Sequence, residues 1–261
     1  MKALILLAVL LLPAAGAAGT LLSLDFSSVP AGRLTDQAVR SSNCRAPWTA
    51  GLDQGRGEIV DAGGAKALRV RYLAGGIGPQ ASVQFYCPLP PRDSAYLRYR
   101  VKLGETGDFD FVRGGKLPGL CGGKCNSGGK KPTGDGWSSR FMWKAGGRII
   151  LYLYHLGQKG KYGDTYDVGW FSPGEWHELA ERVTVNDPAK ADGRVQVWVD
   201  GKPALDERGL RFRDRPGAQV DRFYFSTFYG GDDATWAPPK DEFVYFPGFV
   251  VTDGAQAPSG R

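Results

Sequence analysis

An all-β chain of two packed antiparallel sheets is the fold this sequence predicts. Three observations carry it. Short β-branched and aromatic runs recur along the chain, clusters of Gly, Pro, Asp and Asn separate them, and no segment sustains a helical apolar period over a helix length.

At the N-terminus, Lys2 precedes an unbroken apolar run over residues 3–12, followed by Pro13 and the small residues 14–19. That order is a secretory signal peptide: the run is too short to span a bilayer, and Ala15-Gly16-Ala17 and Gly16-Ala17-Ala18 each fit a small-x-small cleavage site. We expect residues 1–18 to be removed, residues 19–261 to fold as one β domain, and the mature protein to be secreted, extracellular or periplasmic. No later stretch approaches the length and apolarity of a membrane span.

Strands are expected at residues 21–26, 67–72, 82–86, 95–103, 109–112, 137–143, 148–154, 177–185, 194–199, 220–228 and 243–251. Val195-Gln-Val-Trp-Val199 alternates strictly and ends in Asp200-Gly201, a dipeptide suited to a type I′ hairpin turn. Between the runs at 109–112 and 137–143 lies a Gly- and Lys-rich stretch, residues 113–136, read as a long loop. Loops of that length inside a compact domain are usually functional or disordered, and the close pair Cys121 and Cys125 argues for a shaped one.

Four cysteines can pair in three ways, and in an exported chain disulfides are expected over free thiols. The pairing we expect is Cys121–Cys125 with Cys44–Cys87. A zinc site would usually show two close pairs; here only one exists, both histidines lie elsewhere, and no metal is expected. The formal charge of +6 and a pI near 9.1 fit a polyanionic partner. Because Lys and Arg are scattered and do not form runs, nucleic acid is not the expected partner. A monomer is expected.

The segment with chemical potential is Trp137-Ser-Ser-Arg-Phe-Met-Trp143, then Lys144-Ala-Gly-Gly-Arg148, then Ile149-Ile-Leu-Tyr-Leu-Tyr-His155. As a hairpin with residues 145–147 in the turn, it opposes Arg140 to Tyr152 and Ser138 to Tyr154. Alternation then places a cation, a hydroxyl and two phenols on one sheet face, with Trp137, Phe141 and Trp143 on the other. Taken alone, such a face is commonly just solvated.

Gly114-Gly-Lys-Leu-Pro-Gly-Leu120, Gly136-Trp-Ser-Ser-Arg140 and Tyr152-Leu-Tyr154-His155 together resemble the signature of the family 14 polysaccharide lyases, jelly-roll enzymes that cleave alginate and glucuronan. The motif-bearing resemblance spans residues 109–155, with looser likeness at 173–177, 192–201, 228–231 and 236–238. It implies a concanavalin-like two-sheet jelly roll, an acidic polysaccharide substrate, no cofactor, and β-elimination giving 4,5-unsaturated ends. It also implies that Lys116 and one tyrosine, Tyr154, exchange protons with substrate while Tyr152 positions the sugar.

The chemistry accounts for these residue types. The C5 proton of a uronate is poorly acidic while the adjacent carboxylate is ionised, so a cation must stabilise the developing enolate. Arg140 suits that role and Ser138 can donate to the same carboxylate. Free Tyr and Lys titrate near ~10, so a base needs its pKa lowered, which clustered cations do. Which of Lys116 and the tyrosines is base and which is acid stays open. Arg113 is a candidate for substrate carboxylates, against the plainer reading of an exposed loop arginine. Alternation points His155 away from the tyrosine face, so it is expected to pack, and His177 reads as a strand-edge residue.

Two rivals are weighed. A glycoside hydrolase needs two facing carboxylates, but Asp206-Glu207 and Asp241-Glu242 are adjacent and split across strand faces. A non-catalytic jelly-roll carbohydrate-binding protein would use residues such as Trp236 and Tyr229 equally well; only the Lys, the Arg and the paired tyrosines favour catalysis.

Overall fold

The computed structural model describes residues 19–254, so the expected signal peptide lies outside the described residues. In chain order the strands are β1 (Thr20–Asp25), β2 (Gly32–Arg33), β3 (Thr49–Ala50), β4 (Gly57–Asp61), β5 (Lys66–Tyr72), β6 (Val83–Arg92), β7 (Ser94–Leu103) and β8 (Gly114–Gly123). They continue with β9 (Gly136–Lys144), β10 (Arg148–Tyr154), β11 (Asp164–Trp170), β12 (Trp176–Thr184), β13 (Gly193–Val199), β14 (Lys202–Leu210), β15 (Val220–Tyr229), β16 (Glu242–Phe246) and β17 (Gly248–Thr252).

They form two antiparallel sheets, the expected jelly roll. One has the order β14-β13-β12-β7-β16-β5-β4-β2, with β17 also pairing β7 and β1 pairing β17. The other is seven-stranded, β11-β10-β9-β8-β15-β6-β3. The inward residues of both sheets make one core, in which Trp143 meets Tyr72, Phe109 and Tyr229 at ring separations of 5.7, 5.6 and 5.2 Å. Phe85 stacks on Phe225 at 4.5 Å, and the buried indole N–H of Trp137 donates to the Ala218 carbonyl. Asp200 and Gly201 both take positive φ, 51° and 74°, as the hairpin turn between β13 and β14 requires.

Two expectations are corrected. Residues 109–112 are not a strand: Phe109 and Phe111 are buried, but carboxylates take the backbone donors, Asp110 N–H going to Glu242 and Val112 N–H to Asp110. Conversely, much of the expected loop 113–136 is β8, a central strand. Its glycines are there for close packing. A Cβ on Gly115 would lie 2.1 Å from the Trp143 indole, and one on Gly119 would lie 2.0 Å from the Ser139 carbonyl oxygen. The strands the sequence pattern did not show, β2, β3, β4 and β11, lie at or next to sheet edges, where alternation is weakest, while β14 is the return strand of the hairpin at Asp200-Gly201. The run at 243–251 divides at Pro247 into β16 and β17.

Candidate active site

Strands β9 and β10 pair in the expected register, Arg140 opposite Tyr152 and Ser138 opposite Tyr154, with residues 145–147 as the turn. Trp137, Phe141, Trp143, Leu151 and Leu153 face the core. Met142, Ile150, Tyr152 and Tyr154 form a separate buried cluster on the opposite face. The hairpin therefore anchors itself through its aromatic and aliphatic side and leaves its polar side available for chemistry.

Lys116 arrives on that face from β8, opposite Met142. The register between β8 and β9 then slips between Lys116 and Gly119, a bulge at Leu117-Pro118. Proline has no N–H to give a central ladder, and a bulge is where such a residue is tolerated. Lys116 Nζ rests 2.8 Å from the Met142 sulfur and 3.8 Å from the centre of the Tyr152 ring. Burial, then the charge of Arg140, then that of Lys144 hold its pKa well below the ordinary lysine value, which favours a neutral amine.

The guanidinium of Arg140 is 2% exposed. Its Nη1 donates to Ser226 Oγ at 3.3 Å and its plane lies 4.9 Å from the Tyr224 ring centre, while its Nε is buried without a partner. Among the described residues no carboxylate pairs with it. Desolvating an unpaired ion costs several kcal/mol, roughly, so a cation left in this state is suited to an anion that arrives from outside.

The phenol oxygens of Tyr152 and Tyr154 are 3.1 Å apart, and Gly129 N–H donates to Tyr154 Oη at 2.8 Å. With its oxygen already accepting, Tyr154 can give its proton to Tyr152, leaving the Tyr152 proton free. Burial, then the hydrogen bond with Tyr154, raise the pKa of Tyr152. A phenol so shifted is a proton donor at neutral pH and a poor base.

Gly129 belongs to residues 124–135, the loop that remains once β8 is recognised as a strand. Cys121–Cys125 staples its start, and Cys44–Cys87 is the second bridge. Ser138 Oγ donates to the Asn126 carbonyl in this loop at 2.6 Å, so in this structure its proton is committed to holding the loop over the face. Arg113 is exposed and stands apart from the Lys116 cluster, 5.8 Å from the Trp236 ring centre. His155 is buried beside Asp164 (2.8 Å) and Phe212, and His177 is held by Asp200 (2.8 Å) and the Ser172 N–H. Among the described residues no three His, Cys, Asp or Glu side chains converge as metal ligands, and no helix is long and apolar enough to cross a membrane.

Sequence reasoning did not single out Gln84, Tyr224 and Ser226. Gln84 donates to Tyr224 Oη and to Ser226 Oγ (3.1 Å), which in turn accepts from Arg140, so β6 and β15 form a polar cradle around the guanidinium. The signal existed in Phe223-Tyr-Phe-Ser226, whose phenylalanines enter the core and whose Tyr224 and Ser226 therefore face outward.

Comparison with known proteins shows a family and similar solved structures. The polysaccharide lyase 14 family model matches residues 61–249. The structure of alginate lyase Aly36B is similar at a TM-score of 0.78 and 27% identity, covering 90% of this chain and 97% of that one. A variant of that enzyme with a lysine and a tyrosine replaced by alanine, solved with an alginate tetrasaccharide, gives 0.79 and 26% over 90% and 97%. The marine alginate lyase from Aplysia kurodai gives 0.72 and 27%, over 90% and 99%. No curated protein matches the chain. With the family model matching residues 61–249, most of the chain, the chain belongs to polysaccharide lyase family 14.

Proposed function

We propose that this lyase cleaves a polyuronate of the alginate or glucuronan type by β-elimination, with its own cations supplying the charge and no metal taking part, and that it acts outside the cytoplasm. The observation that carries the reading is the buried, unpaired guanidinium of Arg140 beside a lysine driven toward its neutral form. Similarity to alginate lyases at 26–27% identity supports an alginate-type substrate.

In this mechanism Arg140 binds the carboxylate of the sugar whose C5 proton is lost. The amine of Lys116 takes that proton, and Arg140 stabilises the charge that moves onto the carboxylate. The electron pair then forms the C4–C5 double bond and expels the 4-O-linked sugar, whose oxygen is protonated by the tyrosine pair. Tyr152 has the free proton and Tyr154 replenishes it, so the two phenols act as one donor, with neither left merely to position the sugar. Ser138 contributes by fixing the loop that carries Gly129.

The test is the near-ultraviolet absorbance of an unsaturated sugar end, followed with poly-mannuronate, poly-guluronate and glucuronan, with and without a chelator. Absorbance should rise with at least one polymer and survive chelation. Lys116→Ala, Tyr152→Phe and Tyr154→Phe should each lower kcat by roughly 10²–10⁴, the usual worth of a positioned acid or base. New reducing ends without absorbance would show hydrolysis and overturn the reading, as would a Lys116→Ala variant with normal turnover.

A further inference from the structure

At the far end of the same face from Ser138 lies a second group of side chains, of which the site described above involves only the charge of Lys144. Lys144 closes β9 and, by alternation, shares the face of Arg140 and Met142; four residues at ~3.4 Å each place it about 14 Å along the strand from Arg140. Its Nζ is 5.6 Å from the ring centre of Trp236, and the Arg113 guanidinium is 5.8 Å from the same ring. The indole is seated deliberately. A Cβ on Gly231, at φ 96°, would lie 2.0 Å from it, so only glycine leaves room. Gly230 N–H donates to the Gly114 carbonyl at the start of β8, tying the turn that carries Trp236 to the strand that carries Lys116.

The charges here are unequal in availability. Arg148 is paired with Asp167 at 3.1 Å. Asp233 caps the short turn that contains Trp236, accepting from the Thr235 N–H at 2.8 Å; its hydrogen bonds with Thr235, and then the nearby charge of Arg113, lower its pKa. Arg113 and Lys144 have no ion-pair partner among the described residues. Two cations without an ion pair, both set against a partly exposed indole, match one ligand chemistry, a pyranose with an apolar face to stack and a carboxylate to pair.

We propose that Trp236, Arg113 and Lys144 form a distal uronate subsite, more than one sugar unit from the scissile bond, that grips long chains. It rests on the polyuronate reading of the catalytic face. Trp236 and Arg113 touch no reacting atom, so their contribution is uniform binding, which lowers KM and leaves kcat alone.

The test compares Trp236→Ala and Arg113→Gln with wild type, on an octasaccharide of the preferred polyuronate and on the shortest oligosaccharide cleaved; Lys144 is kept because, with burial and the charge of Arg140, its own charge helps to lower the pKa of Lys116. On the octasaccharide both variants should raise KM about tenfold with kcat unchanged, since a lost stacking or charge-assisted contact is worth about that factor. On the shortest substrate they should match wild type. Equal losses on both substrates, or none on either, would overturn the subsite. Binding of the octasaccharide to Lys116→Ala, with and without Trp236→Ala, provides an arm independent of turnover: the added change should weaken binding about tenfold, and equal affinities would overturn it. A wild-type chain that turned over no polyuronate would defeat the catalytic reading, and this arm would still decide the subsite.

Discussion

Replacing Glu181 by glutamine should remove a pH dependence of stability that originates in the middle of the core. Glu181 lies on β12 and faces the seven-stranded sheet, fully buried. Its carboxyl accepts from the Leu120 N–H at 3.0 Å and from the Ser139 hydroxyl, and no cation pairs with it among the described residues. Burial raises its pKa from 4.5 to about 8, the two hydrogen bonds opposing only part of that. The native state therefore holds a proton that the unfolded chain releases above pH 4.5. The stability this confers is complete at the acid end and is lost as pH climbs from 4.5 to about 8. At 1.36 kcal/mol per pKa unit the swing is on the order of 5 kcal/mol. Glutamine reproduces the protonated form, its carbonyl accepting from Leu120 and its amide facing Ser139, and cannot ionise. Denaturant unfolding of both proteins at about pH 5 and about pH 9 isolates the group, since every other titration is shared. Glu181→Gln should be close to wild type at the lower pH and more stable than it by several kcal/mol, roughly, at the higher. Parallel pH profiles for the two proteins would refute the buried neutral carboxyl.

Two further outcomes follow from charge and from chain connectivity. KM for polyuronate should rise with ionic strength, because Arg140, Arg113 and Lys144 meet a polyanion through screened charges; an absorbance assay across a salt series checks this, and a flat KM would mean stacking dominates. The bridges should separate stability from activity: by chain entropy the 43-residue Cys44–Cys87 closure is worth about 4 kcal/mol and the four-residue Cys121–Cys125 closure about 2. Cys121→Ala/Cys125→Ala should nevertheless lower kcat more, since its loop supplies the Gly129 and Asn126 contacts to Tyr154 and Ser138. Unfolding curves and kcat on the two double variants decide it, and equal kcat values would refute the role given to the loop.

The β9–β10 hairpin was legible because three local signals agree in it. Trp137, Phe141 and Trp143 fall on one alternating face, its turn is glycine-rich, and its length fixes one register, which the structure reproduces at Arg140 opposite Tyr152. Local pattern also separated the two histidines from the polar face. It failed where side chains from distant segments decide the outcome. Phe109 and Phe111 look like a strand, yet the backbone between them is satisfied by Asp110 and Glu242. The cradle of Gln84, Tyr224 and Ser226 needs β15 to lie between β8 and β6, and nothing local in those strands says so.

The largest gap, β8, has a single physical cause. In an unbroken strand two leucines three residues apart face opposite ways, but Leu117 and Leu120 are both buried in the core. The bulge at Pro118 absorbs the odd residue, and so lets Lys116 face outward while both leucines face inward. A bulge also frees backbone groups. Here the opposite sheet takes them: Tyr99 Oη donates to the Pro118 carbonyl at 3.0 Å and Glu181 accepts the Leu120 N–H. Ser139, whose position on the core side of β9 suggests an inert hydroxyl, donates to the same carboxyl, and losing it would cost roughly 1–3 kcal/mol. An acidic residue on the inward face of β12 has no sequence-level rationale until the bulge opposite it is known. The orientation of Lys116 and the burial of Glu181 are thus two consequences of the same inserted residue.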